Sequence, residues 1–550
     1  MRFEISFAES VHRGPITGRL FLIITRNGES EPRLQLFDVP VFAIEISQLV
    51  PGRSAAIDTA TPGYPVNSLS EIPTDDYYVQ ALLNVYTEFK RADGHTIWTH
   101  MDQWEGQDLA RSPGNLISEV LRIHLDAVAR TECKLELTKI LPPIAVPDDT
   151  EWVKRIKIQS KLLTDFWGRP IYIGATVLVP RGYDDEPGVR YPVIYVHGHF
   201  SLDAPFGFKI GPDPLGSKSW ARRREEWAAT GATMAEPPPD ADFNGAQYNV
   251  ESGYEFYQAW QSDQFPRVIA VTFQHPTPYF DDSYGINSAA AGPYGDALMH
   301  ELIPRIEEQF RVIRQPYARV LTGCSTGGWA SLALQIYHPD FFGGAWSFSP
   351  DPVDFRRYYA AINLYEDRNA FMLDGSEWLA HERHLFRRTD GQARHSSRQF
   401  SRLASITWTQ DPAYGWTNYA PLDGKGYPRP VWNLATGEID HEVVEYMNEH
   451  GYDLRAYLER NWSRIGVQLA GKLHVYCGDE DGGYFNLAVY LLEDFLRSTK
   501  EPHYPGTFTY GRPLKGHGWQ PMTNADLVKL MAEHIRAHVP MNESQHWWRS

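Results

Sequence analysis

The chain carries one G-x-S-x-G pattern, Gly323-Cys324-Ser325-Thr326-Gly327, followed by a further glycine, Gly328. In a chain with 43 glycines the pattern alone is weak, so its surroundings decide what it is worth. A short apolar stretch from Arg319 to Thr322 runs into it, and a helical pattern from about Gly328 to Tyr337 leaves it and stops before Pro339. A strand–turn–helix elbow of this kind holds a serine on a sharp backbone turn with its hydroxyl projecting from the sheet edge. Small residues two places either side let neighbouring backbone pass close by, and the helix N-terminus places a favourable field where an oxyanion would develop. The competing reading is a glycine-rich turn with a bystander serine. The rest of the chain weighs against it.

A serine at neutral pH is a poor nucleophile and needs a base, which in turn needs an orienting acid. In an elbow of this type the acid and the base follow the serine in that chain order. Gly516-His517-Gly518 lies after the last predicted strand, in a loop flanked by glycines, and makes His517 the candidate base. His474 sits inside a strand pattern and His503 precedes the last strand, so both are poorer candidates. Gly478-Asp479-Glu480-Asp481 directly follows the strand pattern Leu473-His474-Val475-Tyr476-Cys477. Asp481 is the favoured acid and Asp479 stands second; the remaining carboxylates read as a solvated turn. An oxyanion needs two backbone N–H donors. Thr326, next after the nucleophile, supplies one. The loop Val196-His197-Gly198-His199-Phe200 supplies the second, through His199 or Phe200.

These groups need a sheet to hold them. Ile171 to Val179, Tyr191 to Val196 and Val268 to Phe273 are nearly continuous apolar runs, the pattern of strands buried on both faces. A helix opens near Pro293 with an apolar stripe of Leu298, Leu302, Ile303, Ile306 and Phe310. Further strands fall at Leu473–Cys477 and near Thr507–Tyr510, with helices over about 485–498 and through Ala525, Leu527, Leu530 and Ile535. Strands alternating with helices define an α/β domain over 146–550. Residues 352–468 break the rhythm and read as an inserted lid, placed at the sheet edge above the serine. The insert's Trp378, Trp408, Trp416 and Trp432 would either wall a pocket or build the lid's own core. Residues 1–145 form a different unit. Short apolar runs such as Leu20 to Ile24 and Val41 to Ile46, and the alternation Cys133-Lys134-Leu135-Glu136-Leu137, predict an all-β, sandwich-like domain. The proline-rich stretch 141–147 marks the boundary.

At 550 residues the chain exceeds one hydrophobic core. Its net charge of -17 argues against nucleic acid or an anionic membrane as partner, and no apolar run is long enough to span a bilayer. The first residues lack the pattern of a signal peptide, so a full-length chain would be cytoplasmic, and one with a trimmed leader secreted or periplasmic. Cys133, Cys324 and Cys477 give no disulfide framework and read as small buried hydrophobes. No C-x-x-C pair indicates zinc, and neither metal nor cofactor is expected.

Several separated segments together resemble the putative-esterase family of α/β hydrolases, which includes esterase D, enterochelin esterases, feruloyl esterases and the mycolyltransferases. They are Pro180-Arg181-Gly182-Tyr183-Asp184, Arg190 to Gly198, Gly292-Pro293-Tyr294-Gly295-Asp296 with Glu301-Leu302-Ile303-Pro304, and Gly323 to Gly328. Gly478 to Asp481, with the acid in fourth position, and His517 complete the set. The resemblance covers about 160–350 and 470–540 and leaves out the first 150 residues and the insert. It implies an α/β-hydrolase fold, a Ser325–Asp481–His517 triad and small-molecule or carbohydrate-linked ester substrates, with acyl-sugar or phenolic esters preferred. Acyl transfer or amide hydrolysis through the same acyl-enzyme is the alternative, and a binding protein on an inactive hydrolase scaffold stands behind both.

Overall fold

The computed structural model describes the chain except residues 37–38, 107, 127–130, 213–250, 280–281, 374–381, 408–417, 542, 544 and 549–550. Its larger sheet has eight strands: β1 (Val153–Ser160), β2 (Ile171–Leu178), β3 (Val193–His197), β4 (Ile269–Gln274), β5 (Arg319–Cys324), β6 (Gly344–Phe348), β7 (Leu473–Gly478) and β8 (Thr507–Gly511). They lie in the order β1-β2-β4-β3-β5-β6-β7-β8. β2 is antiparallel to both its neighbours, and every pair from β4 to β8 is parallel. This mostly parallel sheet, with the two central strands crossed over, is the α/β-hydrolase arrangement. The apolar runs seen in the sequence are its middle: Val193, Ile194, Tyr195, Ile269, Ala270 and Val271 have no exposed surface. β1 was not legible as a strand. Only Val153, Ile156 and Ser160 of its eight residues are buried, among the exposed or half-buried Lys154, Arg155 and Lys157, as suits a strand at the edge of the sheet.

Helices cover both faces. α1 runs from Tyr294 to Gln309 with a π turn over Leu298–Leu302. α2 (Thr326–Tyr337) leaves β5 and is buried almost throughout, with Trp329, Leu332, Leu334 and Ile336 nearly inaccessible. Such a helix sits between sheet and a further layer, and here that layer includes a helix assigned by sequence to the insert. α4 (Leu454–Leu469) packs on α2 through its buried Leu454, Leu458, Ile465 and Leu469. The Asp453 carboxylate caps α4 by accepting the Ala456 N–H at 2.8 Å. α5 (Phe485–Ser498) follows β7, and α6 (Asn524–Ala537) follows β8.

The N-terminal region is all β. Nine strands from Arg2–Phe7 to Glu132–Ile140 form one sheet whose two ends share a core of Ile5, Leu22, Phe42, Ile57, Val79 and Leu135. The opposite face of its centre is also covered. Phe21, Ile23, Val41 and Leu82 pack against Leu403 and Ile406 of α3 (Ser397–Thr407), a helix of the insert. Arg19 fixes that contact: its guanidinium donates to the Ser405 and Ile406 carbonyls, both at 2.8 Å, at the C-terminal turn where carbonyls lack helical partners. The insert is thus tied to the N-terminal sheet as well as to the hydrolase sheet. Among the described residues no helix is long and apolar enough to cross a membrane.

Candidate active site

Ser325 occupies the turn between β5 and α2 with φ 58° and ψ -122°, a backbone region that a residue with a side chain enters only under strain of order 1–3 kcal/mol. The turn is held from both sides. The Ser325 N–H donates to the Phe348 carbonyl at 3.0 Å, and the Ser325 carbonyl accepts the Trp329 N–H at 3.0 Å. The flanking glycines are required by close approach: a Cβ at Gly323 or Gly327 would collide with the His197 carbonyl, and one at Gly328 with Phe348. The same contact sets the end of β3 against the start of α2. It brings the 197–200 loop beside Thr326, whose N–H, first in its helix, has no intrahelical acceptor.

Within that loop the residues part company. His197 is buried, and desolvation together with the neighbouring His275 pushes its imidazole down to about 3, so it stays neutral. The His199 side chain is 69% exposed, 3.9 Å from Asp282. Phe200 turns its ring edge-on to Trp104 of the N-terminal region, centroids 5.3 Å apart, and closes on Gly106. The N-terminal region therefore buttresses the loop that carries the sequence-predicted donors.

Past the sheet's centre, β7 ends in Gly478 and delivers Asp481, which has no exposed surface. One carboxylate oxygen accepts the Gly483 N–H at 2.9 Å and the Phe485 N–H at 3.3 Å. The other lies 2.8 Å from Nδ1 of His517, in the loop between β8 and α6. Burial alone would lower the imidazole's proton affinity, but the charge and hydrogen bond of Asp481 outweigh it and hold the His517 value above the ordinary one. Asp479 does something else: its carboxylate accepts the Lys515 N–H at 3.2 Å and so shapes the histidine loop from below. Ser349 steadies the loop on its other side, accepting the Gly518 N–H at 2.8 Å. His474 is stacked on Trp346 within the sheet, and His503 bonds the Thr499 carbonyl.

A family model described as putative esterase matches residues 172–399. The match supports ester hydrolysis as the chemistry of that part of the chain. The matched segment contains β2 to β6, the elbow and Ser325, while Asp481 and His517 lie beyond it. Among solved structures, a ferulic acid esterase is 15% identical with a TM-score of 0.35, covering 70% of this chain and 98% of its own. FphF, a fluorophosphonate-binding serine hydrolase of Staphylococcus aureus, is 11% identical with a TM-score of 0.31, covering 70% and 98%. An S-formylglutathione hydrolase from Agrobacterium tumefaciens is 11% identical with a TM-score of 0.31, covering 72% and 97%. No curated protein matches the chain.

One group beside the serine was not read from the sequence. Asp351, three residues past β6, is buried, and it accepts the Ser325 hydroxyl at 3.1 Å on Oδ1. Its Oδ2 accepts the Tyr284 hydroxyl at 2.8 Å and the Thr326 hydroxyl at 3.1 Å. The only clue to it is position, since β6 lies next to β5 and must end level with the elbow. Burial pushes the Asp351 carboxyl above its ordinary value, against the hydrogen bond from Tyr284 and the nearby charge of His517 and His199. A carboxyl raised in the folded state lends stability below its unfolded value and loses it as pH rises through the folded one. Asp351→Asn, neutral throughout, is therefore expected to melt roughly 1–3 °C above the unchanged esterase at pH 8 and to show no gain at pH 4. Thermal melts at the two pH values check this; an equal gain at both would assign the effect to shape rather than charge.

The insert borders the site. Tyr419 packs on Tyr284 and Trp329, with centroids at 5.0 and 5.3 Å, and the Arg387 N–H donates to the Gly482 carbonyl at the acid turn. Trp432, however, is buried with its indole N–H on Ser401 at 3.2 Å, in the core cluster that also holds the large sheet. Trp378, Trp408 and Trp416 lie outside the described residues. Cys133 and Cys477 are buried as expected, but Cys324 is exposed, because the strand has left the core by the residue before the nucleophile. Among the described residues one cluster has metal-ligand spacing, His100, Asp102 and Glu105. His100 is already held between Asn84 at 2.9 Å and Glu105 at 2.7 Å, a buried pair that stands without an ion.

Proposed function

We propose that this esterase cleaves carboxylic esters through a Ser325–His517–Asp481 triad and an acyl-enzyme on Ser325. The reading is carried by the strained backbone of Ser325 at the end of a central strand, with the His517–Asp481 pair presented at the same edge of the sheet. Asp481 on Nδ1 fixes the tautomer in which Nε2 is free to accept a proton. Ser325 attacks the acyl carbon, His517 takes the serine proton and passes it to the leaving alcohol. The oxyanion rests on the N–H of Thr326 and an N–H of the 199–200 loop. Water then repeats the sequence on the acyl-enzyme. Esters of phenolic acids or acylated sugars are the proposed substrates, supported by the family resemblance and by the 13% aromatic content. A fluorophosphonate probe tests the site. The unchanged chain should be labelled on Ser325, and Ser325→Ala should not be labelled at all. A labelling pattern indifferent to that substitution, or no turnover of p-nitrophenyl acetate and methyl ferulate, would remove the proposal.

A further inference from the structure

We infer that Asp351 holds the hydrolytic water and thereby makes the enzyme a hydrolase rather than an acyltransferase. The inference rests on the acyl-enzyme reading above. Its starting point is a count of donors. Oδ2 of Asp351 has two, the Tyr284 and Thr326 hydroxyls. Oδ1 has one among the described residues, and that donor is the nucleophile's own hydroxyl at 3.1 Å. Once Ser325 is acylated it has no hydrogen left to give. Oδ1 of a buried carboxylate is then without a donor, a costly state.

The next reactant can repair this. Water has two hydrogens. As its oxygen attacks the acyl carbon, one proton goes to Nε2 of His517 and the other O–H donates to Oδ1 of Asp351. The tetrahedral intermediate then collapses: the bond from the acyl carbon to Ser325 Oγ breaks, His517 returns its proton to Oγ, and the carboxylic acid leaves. Asp351 recovers the serine hydroxyl as its donor. The placement fits at the serine, because Oδ1 lies 3.1 Å from the Oγ that carries the acyl group, within reach of an oxygen approaching the adjacent acyl carbon. An alcohol acceptor has a single O–H. That hydrogen must go to His517, and Oδ1 stays unpaired throughout the transfer. The site therefore discriminates against alcohols by what they lack, the asymmetry that gives polar sites their strongest selectivity. Asp351 touches the reacting water, and on this reading it is a catalytic residue of the deacylation step.

The experiment uses p-nitrophenyl acetate with methanol as competing acceptor, following methyl acetate, acetate and the mass of acetylated Ser325. The unchanged enzyme should give predominantly acetate. Asp351→Asn and Asp351→Ser should each raise the ratio of methyl acetate to acetate about tenfold, the value of one hydrogen bond to a charged group. They should also accumulate acetyl-Ser325, seen as a burst of p-nitrophenol. Asp351→Ser guards against a misfolded amide variant, since the Thr326 and Tyr284 hydroxyls, 3.3 Å apart, can bond each other when the carboxylate is gone. An unchanged product ratio in both variants, with acetyl-Ser325 formed, would overturn the role of Asp351. Absence of acetyl-Ser325 in the unchanged enzyme would overturn the acyl-enzyme itself, and it is recognisable before any variant is made.

Discussion

Ser325→Ala and His517→Ala are each expected to lower kcat by a factor on the order of 10³–10⁶, and the double variant to lose little more than either alone. The reason for the large effect is that serine and histidine act as one unit: without its base the hydroxyl is a poor nucleophile, and without the hydroxyl the base has nothing to activate. The reason for the shared effect is the same. Folding should survive both changes. Alanine at 325 inherits the φ of 58° that serine already tolerates, and the bonds that shape the turn run through the backbone to Phe348 and Trp329. At 517 the loop is held independently by Asp479 on the Lys515 N–H and by Ser349 on the Gly518 N–H. The measurement is turnover of p-nitrophenyl acetate beside a thermal melt. Near-normal turnover in either single variant, with the melt unchanged, would remove that residue from the machinery.

How much of this was legible in the sequence follows from where each signal lies. Strands buried on both faces print continuous apolar runs, so β2, β3, β4 and β7 could be read directly. The half-exposed β1 prints no continuous apolar run, with Val153, Ile156 and Ile158 set among Lys154, Arg155 and Lys157, and it was missed. Ser325 and His517 are flanked by glycines for reasons of close approach and loop shape, and glycine is visible. Asp351 has no such escort. It follows Ser349 and Pro350, which read as the end of a strand, and its importance comes from strand adjacency, a tertiary fact. The insert shows the same limit in another form. A helical stripe such as Leu403 and Ile406 tells that one face of α3 is buried, but not that the N-terminal sheet covers it. Likewise the periodicity of Leu454–Leu469 says helix, and only packing on α2 makes it part of the hydrolase layer. Trp432 carries the apolar surface of a pocket wall and of a core residue alike, and the Ser401 bond decides for the core.

The choice between two acids two residues apart has the second large consequence. Asp481→Asn is expected to lower kcat by roughly 10³–10⁴, as removal of the orienting charge does in other triads, whereas Asp479→Asn should stay within about tenfold of the unchanged enzyme. In Asp481→Asn the amide oxygen can keep the Gly483 and Phe485 N–H groups that one carboxylate oxygen now accepts, so the turn is preserved. The amide nitrogen then replaces the oxygen 2.8 Å from Nδ1 of His517. It is a donor where an acceptor is needed. It forces the imidazole proton onto Nε2, the atom that must receive the serine proton, and the charge that stabilises the imidazolium is lost as well. In Asp479→Asn the amide oxygen can go on accepting the Lys515 N–H, and only a weak charge contribution to the loop disappears. Steady-state kinetics of the two variants on one ester decide it. If Asp479→Asn proves the more damaging, the loop's shape governs turnover more than the tautomer does. If neither change exceeds tenfold, the buried Asp351, whose charge also reaches His517, is the acid the histidine depends on.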